Sequence, residues 1–198
     1  DSTQGWINTM DSTSNVTGTT YMGATVAGAG NTLATVDTNF KLATFTGPGT
    51  FEVTSLGNSP ANNAISYVIV AGGGSASGYY SGGGAGGFRE SKTTYDSYTA
   101  SPLAASGGVP VSVTSYPITI GAGGAGVADS ADVGNNGSPS SGFSITSTAG
   151  GAAGGGAPGG AAGNPGGSGG GEGYISAAGV GAGNTPPVSP PQGSAGGV

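Results

Sequence analysis

Charge is scarce in this 198-residue chain. Three Lys plus Arg stand against nine Asp plus Glu, together 6% of the residues, where a soluble protein carries about 25%. The formal net charge is -6. Without clustered Lys and Arg nothing can neutralise a phosphate backbone, which excludes nucleic-acid binding. A basic membrane-surface patch is excluded for the same reason. Histidine and cysteine are both absent. Imidazole acid–base catalysis, Ser-His-Asp triads, disulfides and thiolate or imidazole metal sites fall with them. No apolar run approaches the roughly 20 residues of a membrane span, and the N-terminus lacks the basic and apolar parts of a signal peptide. The chain opens at Asp1, which predicts a cleavage product or a fragment of a longer protein.

What is abundant is glycine, at 46 residues. In GAAGGGAPGGAAGNPGGSGG, residues 151 to 170, every third position from Gly151 is glycine: Gly151, Gly154, Gly160, Gly163, Gly166 and Gly169, with one break at Ala157. A period of three fits neither helix nor strand but matches polyproline II, which turns once every three residues. Stepping by three from Gly72 gives Gly72, Ser75, Gly78, Ser81, Gly84 and Gly87, all small. Two further glycine segments are 121–126 and 179–198, the second rich in proline. Ordering glycine costs more backbone entropy than ordering any other residue. With little side chain to bury, backbone groups must pair with neighbouring segments. The tracts are therefore either flexible linkers or rods packed side by side. Repeated tracts can satisfy one another, which favours the bundle.

Outside the tracts the pattern is β, with no 3.6-residue apolar period. Residues 1–38 read as a polar N-terminal arm or connecting segment, with a short strand around Tyr21–Val26, and residues 39–198 as the glycine-rich module. Phe40, Leu42, Phe51 and Val53 lie in alternating runs broken by a turn at Gly47-Pro48-Gly49. AISYVIV (64–70) predicts a strand buried on both faces. VPVSVTSYPITI (109–120) predicts a strand or pair at a sheet edge because of Pro110 and Pro117. Phe143–Thr146 predicts one more strand. Strand followed by glycine tract recurs, so the expected fold is an all-β sandwich or jelly-roll-like framework combined with a polyproline/polyglycine II helix bundle.

Few residues carry chemistry. No two carboxylates have a spacing that calls for a glycosidase, and the glycine runs lack the Lys and Ser/Thr of a phosphate loop. The chain is expected to be no enzyme and to hold no cofactor. Arg89, Glu90 and Lys92 form the one dense charge cluster, expected to pair and fix the exit of the first glycine tract. The bland reading of that run is a solvated turn. Asp129 and Asp132, followed by two asparagines, offer oxygen ligands for calcium, but these are also ordinary turn residues. Tyr79, Tyr80 and Tyr174 interrupt glycine. If the tracts turn there, the rings protrude as receptor contacts that stack on sugars; otherwise they cap the rods.

YVIVAGGG, GGGAGGFRESK, DSYTASPLAASGG, VTSYPITIGAGGAG and NGSPSSGFSITSTAGGAAGGG follow one another across about residues 40–171. In that order they resemble the glycine-rich domain of virion proteins, tail-fibre-like, of cyanobacterial and other marine tailed phages. In architecture the chain is similar to tip adhesins of T-even-like phages, sandwiches of polyglycine II helices with variable loops at the tip. The resemblance implies a structural protein of the virion exterior, in a tail fibre or fibre-like module, that contributes to host attachment. Implied partners are copies of itself (a trimer or repeating assembly), other virion proteins and a host-surface glycan or protein. Two alternatives stay open: an extracellular filament or capsid-decoration subunit joined through its N-terminal arm, and a dedicated glycan-binding adhesin tip.

Overall fold

The computed structural model describes residues 19–36, 39–78, 81–128, 133–156, 160–174 and 178–198. Among them the only helix is one 3-10 turn, Pro60–Asn63, and the architecture is essentially all-β. The first four strands make one long hairpin: β1 (Gly23–Ala27) pairs antiparallel with β4 (Gly49–Ser55), and β2 (Thr32–Thr35) with β3 (Lys41–Thr44). Between the two ladders the backbone loses its register, and Asn31 supplies the missing partners. Its amide donates to the carbonyls of Ala27 (3.1 Å) and Pro48 (3.3 Å), while its Oδ1 accepts from the N–H of Thr46 (3.0 Å) and Gly47 (3.2 Å). Residues 19–36, read from sequence as part of the polar arm, are thus joined to residues 41–55 by two ladders.

β5 (Ala64–Ile65) pairs with β9 (Val109–Pro110), and β10 (Ser115–Ile118) adds to β4 as a sheet edge, where its proline costs no ladder bond. β6 (Tyr67–Val70), β7 (Phe88–Lys92) and β8 (Ala105–Ser106) form a second three-stranded sheet. The 64–70 run is therefore two short strands, not one. Nor is it buried on both faces, since Val68 and Val70 are each 54% exposed. Phe143 and Ser144 also depart from expectation. They are the turn between β11 (Ser140–Gly142) and β12 (Ile145–Ser147), with φ of 54° and 61°. Positive φ at both central residues is what a two-residue hairpin turn requires. The strain at Phe143 is held by packing: its ring lies 5.6 Å from Phe51, edge-on, and 4.9 Å from Tyr116. Around these rings Phe51, Val53, Val111 and Ile118 form a small apolar core.

The glycine tracts continue the strands. Past β6 and β7 the ladder goes on as Ala71 N–H to Gly87 O (3.1 Å), Gly74 to Gly84 (2.9 Å) and Ser77 to Ser81 (3.2 Å). The bonding step has changed from two residues to three. The tract 148–156 shows the same step on three sides. Gly150 and Ala153 donate to Gly72 and Ser75, Gly151 and Gly154 to Ser168 and Gly171, and Gly155 to Ala161. Ala152, which lacks a backbone acceptor, donates to the side-chain oxygen of Asn136 at 2.7 Å. Residues 150–156 are buried wherever they are described, and Ala152 and Ala153 are fully so. In this central tract every face is crowded, so the rule is small residues throughout, not glycine at one phase. The tract 81–87 obeys the single-phase rule: Ser81, Gly84 and Gly87 are buried, Gly82 and Ala85 exposed.

Candidate functional site

Directions along the tracts fix what gathers at each end. Parallel bonding aligns 71–78, 148–156, 167–173 and 192–198, as in the pairs Gly169 to Ser194 and Glu172 to Gly197. The returning tracts 81–87, 133–139, 160–166 and 179–184 run the other way, shown by Gly84 to Gly151 and Gly181 to Gly170. The tract ends at residues 78, 81, 133, 156, 160 and 174 consequently share the end distant from the sheets. Tyr174 stands there, 59% exposed. Tyr79, Tyr80, Asp129 and Asp132 lie outside the described residues. Lys41, Arg89 and Lys92, the only basic residues of the chain, sit on β3 and β7 at the opposite end.

A shallow groove of about 400 Å³ opens at the distal end. Ser81, Gly82 and Gly83 form one wall, Ala195–Val198 the other, and Gly169, Gly171 and Glu172 the floor. The Ser81 hydroxyl donates to Gly171 O (3.0 Å), and Glu172 Oε1 accepts the Gly179 N–H (3.1 Å). Such a surface offers backbone donors and acceptors, one hydroxyl and one carboxylate. It holds no nucleophile–base pair. Among the described residues no three His, Cys, Asp or Glu side chains converge as metal ligands.

The charge cluster stands at the sheet end. Glu90 is 5% exposed and its Oε2 accepts the Ser101 N–H at 2.9 Å. Burial works to raise its pKa. The hydrogen bonds of Ser101 and Tyr98 and the charge of Lys92 outweigh that and hold the carboxyl below its ordinary range. Lys92 Nζ lies 5.1 Å from the Tyr98 ring centroid. Burial first, and then the Glu90 charge, push the Tyr98 hydroxyl up. The arrangement pins the loop 93–104 over β7. Asp96 completes it, accepting from the hydroxyls of Ser66 and Thr93 (2.6 Å for the latter). Asp96 carried no sequence signal, because its partners come from 30 and 3 residues away.

Glycines of the three-residue phase sit where a side chain has no room. A Cβ at Gly72, Gly84, Gly151, Gly163 or Gly169 would come within 1.9–2.2 Å of a neighbouring tract's carbonyl oxygen. At Gly154 and Gly166 the nearest atom is at 2.6 and 2.4 Å, and at Gly87 it is Gln192 Oε1 at 2.6 Å. Gly78 is exposed and Gly160 half-buried, both near tract ends. Gln192 is 2% exposed and ties the glycine tracts together at their sheet end. Its Oε1 accepts the Thr148 N–H (2.8 Å), its amide donates to Thr148 Oγ1 (3.1 Å) and Pro186 O (3.3 Å), and its carbonyl takes the Phe88 N–H (2.9 Å).

Neither the curated proteins nor the solved structures contain a match to this chain. A family described as a glycine-rich domain matches residues 46–198, from the turn before β4 through the last tract. That span takes in every glycine tract and all strands after β3, and the chain belongs to the glycine-rich domain family.

Proposed function

We propose that this chain is a non-enzymatic structural module of a virion exterior, fibre-like, whose glycine tracts are polyglycine II helices bundled to carry one end outward toward a host surface. The observation that carries the reading is the three-residue bonding step, which recurs on several sides of one tract as three-fold rods demand. The tie to phage fibres rests on the sequence resemblance. The module would stand outside the cell among other virion proteins and copies of itself. Small sheets serve as the platform from which rods leave and to which they return, and the tyrosines at 79, 80 and 174 are the contacts offered to the host. A cryo-EM map of the native assembly tests this. Laterally packed rods at 72–78, 81–87 and 148–156 with their free end at a fibre tip are the expected result. Smeared density over those tracts, or a place inside a continuous filament, would overturn it.

The filament or capsid-decoration alternative requires an arm that leaves the module. Because residues 23–35 carry β1 and β2, such an arm excludes them, and the informative truncation stops at residue 18.

A further inference from the structure

We infer that Asn136-Gly137 is a self-modification site, at which the chain converts its own asparagine to aspartate when the tract 133–139 opens. Asn136 is the one asparagine followed by glycine. That order matters because the next residue's backbone nitrogen attacks the side-chain amide carbon, and glycine has no Cβ to stand in the way. Asn164, by contrast, precedes Pro165, which has no N–H to lose. The Gly137 nitrogen loses its proton and bonds to Asn136 Cγ, the side-chain nitrogen leaves as ammonia, and a cyclic imide remains. Water then opens the ring. Attack at Cγ restores the ordinary main chain and leaves aspartate. Attack at the main-chain carbonyl carbon of residue 136 routes the chain through the side chain and leaves isoaspartate. Asn136 is exposed, so water reaches it.

Packing fixes both residues of the pair. A Cβ at Gly137 would lie 2.2 Å from Gly72 O, so only glycine fits there. Asn136 Oδ1 accepts the Ala152 N–H (2.7 Å) and one amide hydrogen of Asn164 (3.0 Å), so position 136 must supply an acceptor. The same packing holds the reaction off. Gly137 N–H donates to Gly150 O (3.1 Å) and Gly134 N–H to Ala153 O (3.0 Å), while Asn135 O accepts from Ser75 (2.8 Å) and Ser138 O from Gly72 (3.0 Å). The backbone is pinned on both sides of residue 136. For the Gly137 nitrogen to reach Cγ, its bond to Gly150 and the Oδ1 bond to Ala152 must both break. Ring closure is thus confined to local openings in which this tract leaves its neighbours.

The fold receives the two products differently. Asn136 only accepts, since its Nδ2 makes no hydrogen bond with a described residue. A carboxylate there loses nothing, and the bonds from Ala152 and Asn164 become charge-assisted. Isoaspartate lengthens the main chain by one atom between 136 and 137. Gly134 and Gly137 are tied to Ala153 and Gly150 at a three-residue step, along a neighbour that does not lengthen with them. Both ties cannot be kept. The tract therefore closes again on aspartate, with one more negative charge, and is held open by isoaspartate.

The test ages the full chain at mildly alkaline pH, folded in buffer and unfolded in guanidinium chloride. Peptide mapping by mass spectrometry then separates asparagine, aspartate and isoaspartate at position 136. The mass gain of deamidation is expected at 136 ahead of every other asparagine, and at least about tenfold more slowly in the folded chain. Isoaspartate should collect in the fraction that has lost its native circular dichroism, and aspartate in the fraction that keeps it. Asn136→Asp should melt no lower than the parent at neutral pH. Asn136→Gln, whose longer side chain closes a less favourable ring, should suppress the gain in denaturant, where its own folding is irrelevant. Equal rates in the folded and unfolded chain overturn the inference, as does no gain at 136 in denaturant. Isoaspartate at 136 in chains that keep native dichroism, or an Asn136→Asp melt lowered by more than about 3 °C, overturns it as well. None of these readouts involves a host or a virion, so the inference stands or falls apart from the proposed function.

Discussion

Replacing Gly170 by alanine should cost far more than any alanine usually does. Its Cβ would sit 1.8 Å from Ala152 O and 2.4 Å from Ala152 C, atoms of a rigid backbone in the central tract. An ordinary contact lies near 3.5 Å, so one tract must move by about 1.7 Å. The bonds it would stretch are Gly170 to Asn164 (2.9 Å), Asn164 to Ala152 (2.9 Å) and Gly181 to Gly170 (2.8 Å). A shift of that size breaks a hydrogen bond, and each buried group left unpaired costs about 1–3 kcal/mol. If two of the three bonds are lost, the destabilisation is on the order of 3–5 kcal/mol, a large share of the roughly 5–15 kcal/mol that holds a domain together. Gly126→Ala is the matched control. Nothing lies within 4 Å of its Cβ, and a compatible alanine restricts the unfolded chain, worth about 0.4–1 kcal/mol in favour of folding. Urea unfolding followed by circular dichroism reads both. A Gly170→Ala midpoint within about 0.5 kcal/mol of the parent would refute close rod packing, since no chain could carry that overlap unrelaxed.

Other consequences are narrower. Gln192→Ala should destabilise by about 2–4 kcal/mol, because it leaves the Thr148 N–H and its neighbours unpaired in a buried place; a shift in Tm smaller than about 3 °C would mean water replaces the amide. Glu90, whose folded carboxyl is held below its unfolded range, contributes stability that is present above the unfolded pKa and lost as pH falls through the folded one. The acid limb of a pH–stability curve should accordingly flatten in Glu90→Gln, and an unaltered limb would exonerate this residue. Amide exchange at Gly150, Gly151 and Gly170 should be slow, and at Gly82 and Gly197 fast. Uniform exchange across all five would contradict the bonding pattern.

The sequence made the glycine tracts and their three-residue spacing legible, and the pairing between them only partly so. A spacing of three reports the backbone's own turn, and it survived because one face of 81–87 is pressed against its neighbour while another meets solvent. In 148–156, surrounded on all sides, the same spacing carries no phase information, and alanine at 152 and 153 marks burial as well as glycine does. The strands were harder. Val68 and Val70 look like core in a run of apolar residues, yet the sheets are two or three strands wide and leave one face uncovered. Phe143 looks like a strand residue because of its side chain, but its ring is needed in the core and the backbone bends to deliver it. The groove left no mark in the sequence, because its walls are segments more than a hundred residues apart and have almost no side chains for a pattern to reveal.

The polar side chains that matter most share one task, which explains why so few charges suffice. Asn31, Asn136 and Gln192 each stand where a backbone ladder changes step or ends, and each supplies the bonds the backbone cannot. Amides carry both donors and an acceptor and need no counter-ion. Charged groups in the same places would need partners or suffer desolvation. Stability built this way depends little on screening. Between about 0.02 and 1 M NaCl the Debye length falls from more than about 10 Å to about 3 Å, and Tm should move by less than about 2 °C, with buried Glu90 and half-buried Lys92 the charge contact among the described residues that responds. A shift of about 10 °C would show that long-range repulsion among the carboxylates governs stability, and would remove the amide-for-charge substitution as the reason this chain can hold a net charge of -6 with so little to balance it.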